Sequence, residues 1–209
     1  LVAQPGTAEE VFDLIKTAMK QAADVIVLDS IAGLTPVSIQ EENFSYNPIA
    51  WQARFVNSAL PKMLPYLKYG TAFVAINQVR ASLGPVSLDN MPGGEGQKFF
   101  THSILNIRRA GWIKDKDVNV GFDMEIRLRK SKVGGEIYQS CTIPFRLEGG
   151  IDVVETIIRE AIESGVIEQS RAWFKLPWED KKVIGIEGIK GYLFVNPDRL
   201  KELTERVQL

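Results

Sequence analysis

The sequence has few of the residues that build several common kinds of site. Among 209 residues there is one cysteine, Cys141, and one histidine, His102. A single cysteine excludes a disulfide within the chain and is typical of a reducing, cytoplasmic compartment. With one residue of each type, a structural zinc site of the usual ligands is not expected. No apolar run approaches the roughly 20 residues of a membrane-spanning helix, so we expect no membrane partner.

An excess of charge of either sign is also missing. The chain has 25 Lys and Arg against 26 Asp and Glu, for a net charge of −1. A nucleic-acid partner would therefore have to be bound by local basic patches rather than by a basic molecule as a whole. The contents of hydrophobic residues (45%) and charged residues (24%) are those of a globular protein. Disordered and collagen-like classes are excluded on that ground.

Helical and strand patterns alternate through the first third of the chain. A capping box at Thr7–Glu10 opens a helical pattern. The apolar runs Asp24–Ser30 and Thr71–Gln78 are typical of strands buried on both faces of a parallel sheet. Between them, Ile49–Tyr69 has helical periodicity. This alternation predicts an α/β fold with a largely parallel central sheet.

The pattern changes in the second half. Ile104–Arg109, Glu125–Arg129 and Tyr138–Leu147 alternate in the manner of half-exposed antiparallel strands, which would extend the parallel sheet. A glycine pair then breaks the chain within Glu148–Asp152, and helical and aromatic segments follow. We therefore predict two domains, a core over residues 1–150 and a small α+β domain over residues 151–209.

Polar side chains end both predicted parallel strands. Asp29 and Ser30 end the first, and Asn77 and Gln78 end the second. Ligands of nucleotide-binding sheets lie at the carboxyl edge, where magnesium takes one or two carboxylates. An acid at a strand end is also common as a turn residue, and amides there can cap a turn. Each signal taken alone leaves both interpretations open.

Three further segments are ambiguous in the same way. Arg80–Gly96 contains four glycines and two prolines, and it is either a DNA-contacting loop or an ordinary surface loop. The pairs Lys130 with Lys132 and Arg108 with Arg109 are either phosphate contacts or solvated charges.

The order of the motifs is more specific than any one of them. Along the chain come Asp-Ser-Ile-Ala-Gly-Leu-Thr-Pro at 29–36, Ile-Asn-Gln-Val-Arg at 76–80, Gly93-Gly94, Lys98-Phe99-Phe100, Ile107-Arg108-Arg109 and Lys130-Ser131-Lys132. In this order they resemble the bacterial and phage RecA family of recombinases, and the resemblance extends from Leu1 through Ala172-Trp173-Phe174 to the C-terminal segment. It implies a RecA-like ATPase core and an ATP-driven protein of DNA repair, which forms helical homo-oligomers on single-stranded DNA and exchanges strands with double-stranded DNA.

The resemblance also implies roles in nucleotide binding. Asp29, with Ser30 beside it, matches the Walker B acid that holds Mg²⁺ through water. Gln78 matches the glutamine that senses the γ-phosphate of ATP. Four residues match those that reach across the subunit interface, and the last two of them meet the neighbour's ATP: Lys98, Phe99, Lys130 and Lys132.

The DNA contacts that the resemblance implies come from two loops and one strand. The first loop is Gln40–Pro48, followed by Ile49 at a base-wedging position and Arg54 at a phosphate-contacting one. The second loop is Arg80–Gly96. Within it the resemblance gives Arg80 and the backbone at Gly93 and Gly94 as phosphate contacts, with Leu83 as the other wedge. Arg108 and Arg109 match a proposed site for a second duplex.

Several departures from the family pattern bear on activity. The phosphate-loop pattern G-x-x-x-x-G-K-[S/T] does not occur in the printed sequence, so we do not expect this chain to hydrolyse ATP unaided. Ile104 stands where an interfacial arginine is usual, and Glu125 replaces a basic residue near the second-duplex site. A non-catalytic paralogue that regulates filaments is therefore the main alternative. A ring-shaped helicase motor is a further one, which the motif order and the C-terminal segment disfavour.

Overall fold

The computed structural model describes residues 1–37, 48–78 and 96–207, without the side chains of residues 48–50, 68 and 69. The chain divides into two compact units, Leu1–His102 and Ser103–Leu209. The helices and strands described in the first unit are α1 (Ala8–Lys20), β1 (Val25–Asp29), α2 (Pro48–Met63), β2 (Ala72–Ile76) and α3 (Gln97–Phe100), with 3-10 segments at Ile31–Gly33 and Leu64–Tyr69.

Helix α1 begins at the predicted capping box. The Thr7 hydroxyl accepts a hydrogen bond from the Glu10 backbone N–H at 3.2 Å, and the Glu10 carboxylate accepts one from the Gly6 N–H at 2.9 Å. These bonds satisfy N–H groups that a helix start otherwise leaves unpaired. Phe12, Ile15 and Met19 follow on one buried face of the helix.

Strands β1 and β2 pair in parallel, in a register that runs from Val25 opposite Ala72 to Asp29 opposite Ile76. The face formed by Ile26, Leu28, Phe73 and Ala75 packs against the core contributed by α1 and α2. The other face is exposed at Val25, Val27, Val74 and Ile76. The parallel pairing is confirmed. The expectation that both faces are buried is wrong for the described residues, because α1 and α2 pack against one face.

The second unit begins with a four-stranded antiparallel sheet. Its order is β3 (Ser103–Asp115), β4 (Val118–Ser131), β5 (Ser140–Arg146) and β6 (Gly150–Ile151). The three predicted segments of alternating residues form β3, β4 and β5, so the prediction of antiparallel strands is confirmed. With the parallel pair of the first unit, the mixed α/β class is confirmed as well. The expected extension of the parallel sheet by these strands is not seen among the described residues, where the parallel pair and the four-stranded sheet are separate sheets.

Helices and short strands form the rest of this unit, namely α4 (Val153–Glu163), β7 (Glu168–Ser170), β8 (Trp173–Lys175), β9 (Lys182–Ile184), α5 (Gly185–Val195) and α6 (Pro197–Val207). Strands β7, β8 and β9 form an antiparallel sheet. The helices enclose a second core whose fully buried members include Ile158, Ile167, Ile189 and Leu203. Arg146 on β5 is ion-paired with Asp152 just before α4. The division into domains at residues 150 and 151 stays a prediction.

Candidate functional site

Asp29 and Gln78 lie at the carboxyl edge of the β1–β2 pair. Asp29 is the last residue of β1, exposed, and opposite Ile76 in the register. Past Ile76 the alternation of burial continues, with Asn77 half-buried and Gln78 exposed. Gln78 lies two residues beyond the last residue of β2 and is exposed, as Asp29 is at the end of β1. Two residues that sequence reasoning took from separate motifs are thus brought to one edge of one sheet.

This edge can hold a nucleotide with its magnesium ion. Parallel sheets bind ligands at their carboxyl ends, and Mg²⁺ keeps most of its water when it is held by one carboxylate and phosphate oxygens. Among the described residues, no group of three or more His, Cys, Asp and Glu side chains could hold a metal. Asp29 supplies one exposed carboxylate at this edge, which fits an ion held through water and completed by phosphate oxygens.

Asn77 differs from its neighbour Gln78 in its contacts. Its side-chain oxygen accepts a hydrogen bond from the Gln78 backbone N–H at 3.0 Å, and its Nδ2 donates to Oε1 of Gln97 at 3.2 Å. Gln97, the first residue of α3, is only 5% exposed. Sequence reasoning missed Gln97. The available signal was a polar amide beside Lys98 and Phe99, which needs a partner if the helix packs against the sheet.

Helix α3 presents the next two predicted residues. Lys98 is half-buried, and Phe99 has 75% of its surface exposed. Aromatic residues are enriched at protein–protein interfaces, and an exposed phenylalanine is compatible with such a contact. Gly96, just before the helix, lies against α2: a Cβ there would come within 2.0 Å of Oδ1 of Asn57.

Helix α2 is tied to the segment that follows Asp29. Nε2 of Gln52 donates to the backbone oxygen of Ile31 at 2.7 Å. Arg54 lies on an exposed part of α2, and Ser30, at the start of the 3-10 segment, is half-buried. The side chain of Ile49 lies outside the described residues, as do the predicted residues Arg80, Leu83, Gly93 and Gly94.

The remaining predicted residues belong to the second unit. Lys130 is on β4 and Lys132 follows its last residue, Ser131. Desolvation, together with the positive charge of Lys132, lowers the pKa of Lys130 below its ordinary value. The positive charge of Lys132 thus adds to the cost of charging Lys130. A polyanion such as a phosphate chain would relieve that repulsion.

Arg108 and Arg109 are both engaged within the β3–β4 hairpin. Arg108 is ion-paired with Glu125, its cross-strand partner, and their hydrogen bond and charge raise the pKa of Arg108. The guanidinium of Arg109 lies over the ring of Trp112, 4.1 Å from its centroid. Sequence reasoning identified Glu125 as an acid replacing a base and did not identify Trp112. A DNA phosphate at Arg108 would have to compete with Glu125.

No helix among residues 1–37, 48–78 and 96–207 is long and apolar enough to cross a membrane.

Comparison with known proteins bears on the family. The sequence model of the RecA N-terminal domain matches residues 1–152. Protein RecA of Thermus aquaticus is 32% identical to this chain over 212 residues, covering 99% of the chain and 62% of the relative. Protein RecA of Acholeplasma laidlawii is 30% identical, covering 100% of the chain and 63% of the relative. Protein RecA of Legionella pneumophila is also 30% identical, covering 100% of the chain and 60% of the relative.

The chain belongs to the RecA family, as the order of its motifs predicted. It spans less than two thirds of the length of these curated relatives.

Proposed function

We propose that this chain is part of a DNA recombinase, which assembles with ATP into filaments on single-stranded DNA and catalyses homologous pairing and strand exchange. The observation that carries the proposal is that Asp29 and Gln78 are both exposed at the carboxyl edge of a parallel strand pair, in a chain of the RecA family. The compartment proposed for it is the cytoplasm.

In this proposal the nucleotide lies at the carboxyl edge of β1 and β2. The magnesium ion would offset phosphate charge, and Asp29 would hold one of its waters with Ser30 alongside. The Gln78 amide would donate to the γ-phosphate. Gln78 comes directly before residues 79–95. Its contact with the γ-phosphate would exist only when ATP is bound, and a ligand can drive a switch only through such a difference in contacts between two states of the chain.

The second half of the nucleotide site would come from a neighbouring copy. Lys130 and Lys132 would approach its phosphates, where fixed positive charge stabilises the charge that develops during transfer. Lys98 and Phe99 on α3 would contact the neighbouring subunit, which the exposure of Phe99 supports. ATP bound between subunits makes filament assembly depend on nucleotide.

DNA would be held mainly by its backbone. Arg54, Arg80, Gly93 and Gly94 would contact phosphates, while Ile49 and Leu83 would wedge between bases. Contacts of this kind give little sequence preference and a strong dependence on salt. Arg108 and Arg109 would capture double-stranded DNA weakly, because the Glu125 carboxylate already occupies Arg108.

The test uses the protein expressed from its complete reading frame, with Gln78→Ala as the variant. Affinity for a single-stranded oligonucleotide is measured with and without a non-hydrolysable ATP analogue. We expect the wild-type protein to bind DNA more tightly with the analogue by a coupling of about 1–3 kcal/mol, and the variant to lose that gain while still binding nucleotide. Gln21→Ala, at an exposed position after α1, is the control and should retain the gain. If the DNA affinity of the wild-type protein is the same with and without the ATP analogue, the proposed function is refuted. If folded Gln78→Ala has the same ratio of the two affinities as the wild-type protein, Gln78 has no part in the coupling.

A second candidate function is a non-catalytic RecA-like regulator that binds DNA or filaments. The ion pair of Arg108 with Glu125 favours it, because it weakens a site that strand exchange would use. ATP hydrolysis stimulated by single-stranded DNA in the protein from the complete reading frame separates the two candidates. Stimulated turnover supports the recombinase, and nucleotide binding without turnover supports the regulator.

We also retain the proposed domains, a RecA-like core over residues 1–150 and a small C-terminal domain over residues 151–209. The end of the family match at residue 152 supports this division.

A further inference from the structure

Strands β8 and β9 turn one face to the second core and the other to solvent. Phe174 and Val183 pack into that core. Because successive residues of a strand point to opposite faces, the residues on either side of them point away from the core. These residues, which we call the exposed sheet face, form two cross-strand pairs and are all exposed: Trp173 with Ile184, and Lys175 with Lys182.

One half of the exposed sheet face is apolar. Trp173 is 49% exposed, and Ile184, directly opposite, is 58% exposed. Directly opposed residues of antiparallel strands have their Cβ atoms about 4.5–5.5 Å apart, so these two side chains form one continuous apolar surface. A groove of about 520 Å³ is lined by Trp173, Lys181 and Lys182. Tryptophan is among the residues that contribute most to the affinity of protein interfaces.

The other half is positively charged. Lys175 lies directly opposite Lys182, and Lys181 precedes Lys182 in the chain. Like charges directly opposite each other destabilise a sheet. Lys190 in the same unit is ion-paired with two carboxylates, whereas no ion pair joins these three lysines to a carboxylate within the described residues. An anion bound among the three lysines would offset their repulsion.

The extent of the positive charge indicates which kind of anion fits. Glu168 on β7 is the cross-strand neighbour of Lys175 on its other side, and Glu179 and Asp180 directly precede Lys181. The basic area therefore ends in carboxylates after a few residues. A nucleic acid presents a long series of phosphates and is bound by a correspondingly long series of cations. A short peptide segment with a few carboxylates and one apolar side chain matches this face better.

We propose that the exposed sheet face is a docking site for an acidic peptide segment of another protein, which places an apolar side chain against Trp173 and its carboxylates among the three lysines. Charge complementarity decides the kind of partner, and such complementarity gives specificity and a fast association rate. The inference goes beyond the proposed function. It uses no residue of the nucleotide and DNA sites proposed above, so either can fail without the other.

The test uses the protein from the complete reading frame and a fluorescein-labelled peptide with three aspartates on each side of one phenylalanine. Binding is measured by fluorescence anisotropy at low salt, and folding by circular dichroism. Trp173→Ala removes the apolar wall, and Lys181→Glu with Lys182→Glu reverses the charge. Lys114→Glu with Lys116→Glu is the control with the same change in net charge, since both lysines are exposed at the tip of the β3–β4 hairpin.

We expect the wild-type protein to bind this peptide about tenfold more tightly, or more, than a peptide with asparagine in place of aspartate. Trp173→Ala should weaken binding by about fivefold or more. Lys181→Glu with Lys182→Glu should weaken it by about tenfold or more, and the control double variant by less than about twofold. The charge-reversed variant should also bind a peptide with lysine in place of aspartate more tightly than the wild-type protein does. A loss of folding cannot produce that gain.

Four results would overturn the proposal. The first is equal affinity of the wild-type protein for the aspartate and asparagine peptides, and the second is an equal loss in the two double variants, because net charge alone would then explain it. The third is displacement of the peptide by an oligonucleotide whose own affinity falls about tenfold in Lys181→Glu with Lys182→Glu and not in the control, which would make the face a nucleic-acid site. The fourth is a lower oligomer mass in that variant by light scattering without nucleotide, which would show that a second copy of the chain covers the face.

Discussion

Replacing Glu155 by glutamine tests the ion cluster that joins α4 to its surroundings in the second unit. The Glu155 side chain is 4% exposed and forms ion pairs with three cationic side chains. Its carboxylate lies 2.5 Å from Nη2 of Arg146, 2.6 Å from Nη2 of Arg159 and 2.6 Å from Nζ of Lys190. Glutamine has nearly the same shape, but it removes the negative charge and replaces one of the two accepting oxygens by an NH2 group that cannot accept from these cations.

The expected loss in the free energy of unfolding depends on which carboxylate partners each cation keeps in the variant. Removing one partner of a buried ion pair costs about 3–5 kcal/mol when the other charge is left uncompensated. Here Arg146 and Lys190 keep Asp152 at 3.1 and 2.8 Å, and Arg159 keeps Asp123 at 2.7 Å. The three cations are also partly exposed to water. We therefore expect Glu155→Gln to lower the free energy of unfolding by about 2–3 kcal/mol, below the range for an isolated buried pair.

The assay is thermal unfolding at pH 7, followed by circular dichroism, with Glu187→Gln as the matched control. Glu187 faces Arg146 and Lys190 as well, at 3.4 and 3.3 Å, but its side chain is 78% exposed. Its replacement should cost less than about 1 kcal/mol. For a chain of this size Glu155→Gln should lower Tm by about 5–10 °C. Equal shifts for the two variants would refute the reasoning, because burial would then not decide the strength of the pairs.

The pH dependence gives a second check on the same residue. Burial alone raises the pKa of Glu155, but hydrogen bonds from Lys190 and Arg159 outweigh it and leave the pKa below its ordinary value of 4.5. The folded state therefore binds fewer protons than the unfolded state near that pH. The stabilisation is complete above pH 4.5 and is lost as the pH falls through the lower, folded value. The difference in Tm between the wild-type protein and Glu155→Gln should shrink over this acid range and stay constant between pH 6 and pH 8; a difference that is unchanged at pH 3 would contradict the assignment.

Three further predictions concern a close backbone contact and the proposed site. Gly121→Ala should destabilise the protein by about 1–3 kcal/mol in chemical denaturation, because a Cβ on Gly121 would lie 2.4 Å from the backbone oxygen of Phe145. Gly111→Ala is the control: a Cβ on Gly111 would have no atom within 4 Å, so stability should change by less than about 0.5 kcal/mol. Similar losses for the two variants would show that β4 and β5 are not packed this closely. Glu125→Gln should strengthen double-stranded DNA binding by freeing Arg108, measured by fluorescence anisotropy at low salt, whereas equal or weaker binding would exclude competition by Glu125. In the protein from the complete reading frame, Lys130→Ala with Lys132→Ala should abolish DNA-stimulated ATP hydrolysis while Tm changes little, since Lys132 is exposed and Lys130 only half-buried. Normal hydrolysis would refute their role at a neighbour's phosphates.

Local patterns were sufficient to predict most of the elements. The capping box at Thr7–Glu10 opens α1, because its hydrogen bonds join residues four or fewer apart. Helix α6 covers Pro197–Val207, and Pro197 at its first position is a residue suited to a helix start. The antiparallel strands could be predicted from the alternation of apolar and polar residues, because alternate residues point to opposite faces and one face of such a strand is more buried than the other. The family followed from the order of the motifs, which needs no knowledge of distances.

Burial on the far side of a strand could not be predicted in the same way. An apolar run such as Val25–Leu28 has the same sequence whether one face or both are covered. The exposed Val25 and Val27 show that the described helices cover one face only. Which face that is depends on α1 and α2, and α2 begins twenty residues after Leu28.

The sequence by itself determined which residues are polar at the ends of β1 and β2, since chemical identity requires no folding. Only the tertiary structure decided how they divide: Asp29 and Gln78 are exposed at the carboxyl edge of the parallel pair, while Asn77 donates to Gln97, twenty residues away. In the same way Glu125 could be identified as an acid in an unusual place, but its pairing with Arg108 depends on the hairpin register. Contacts between residues distant in sequence depend on how strands and helices pack, and no local pattern specifies that packing.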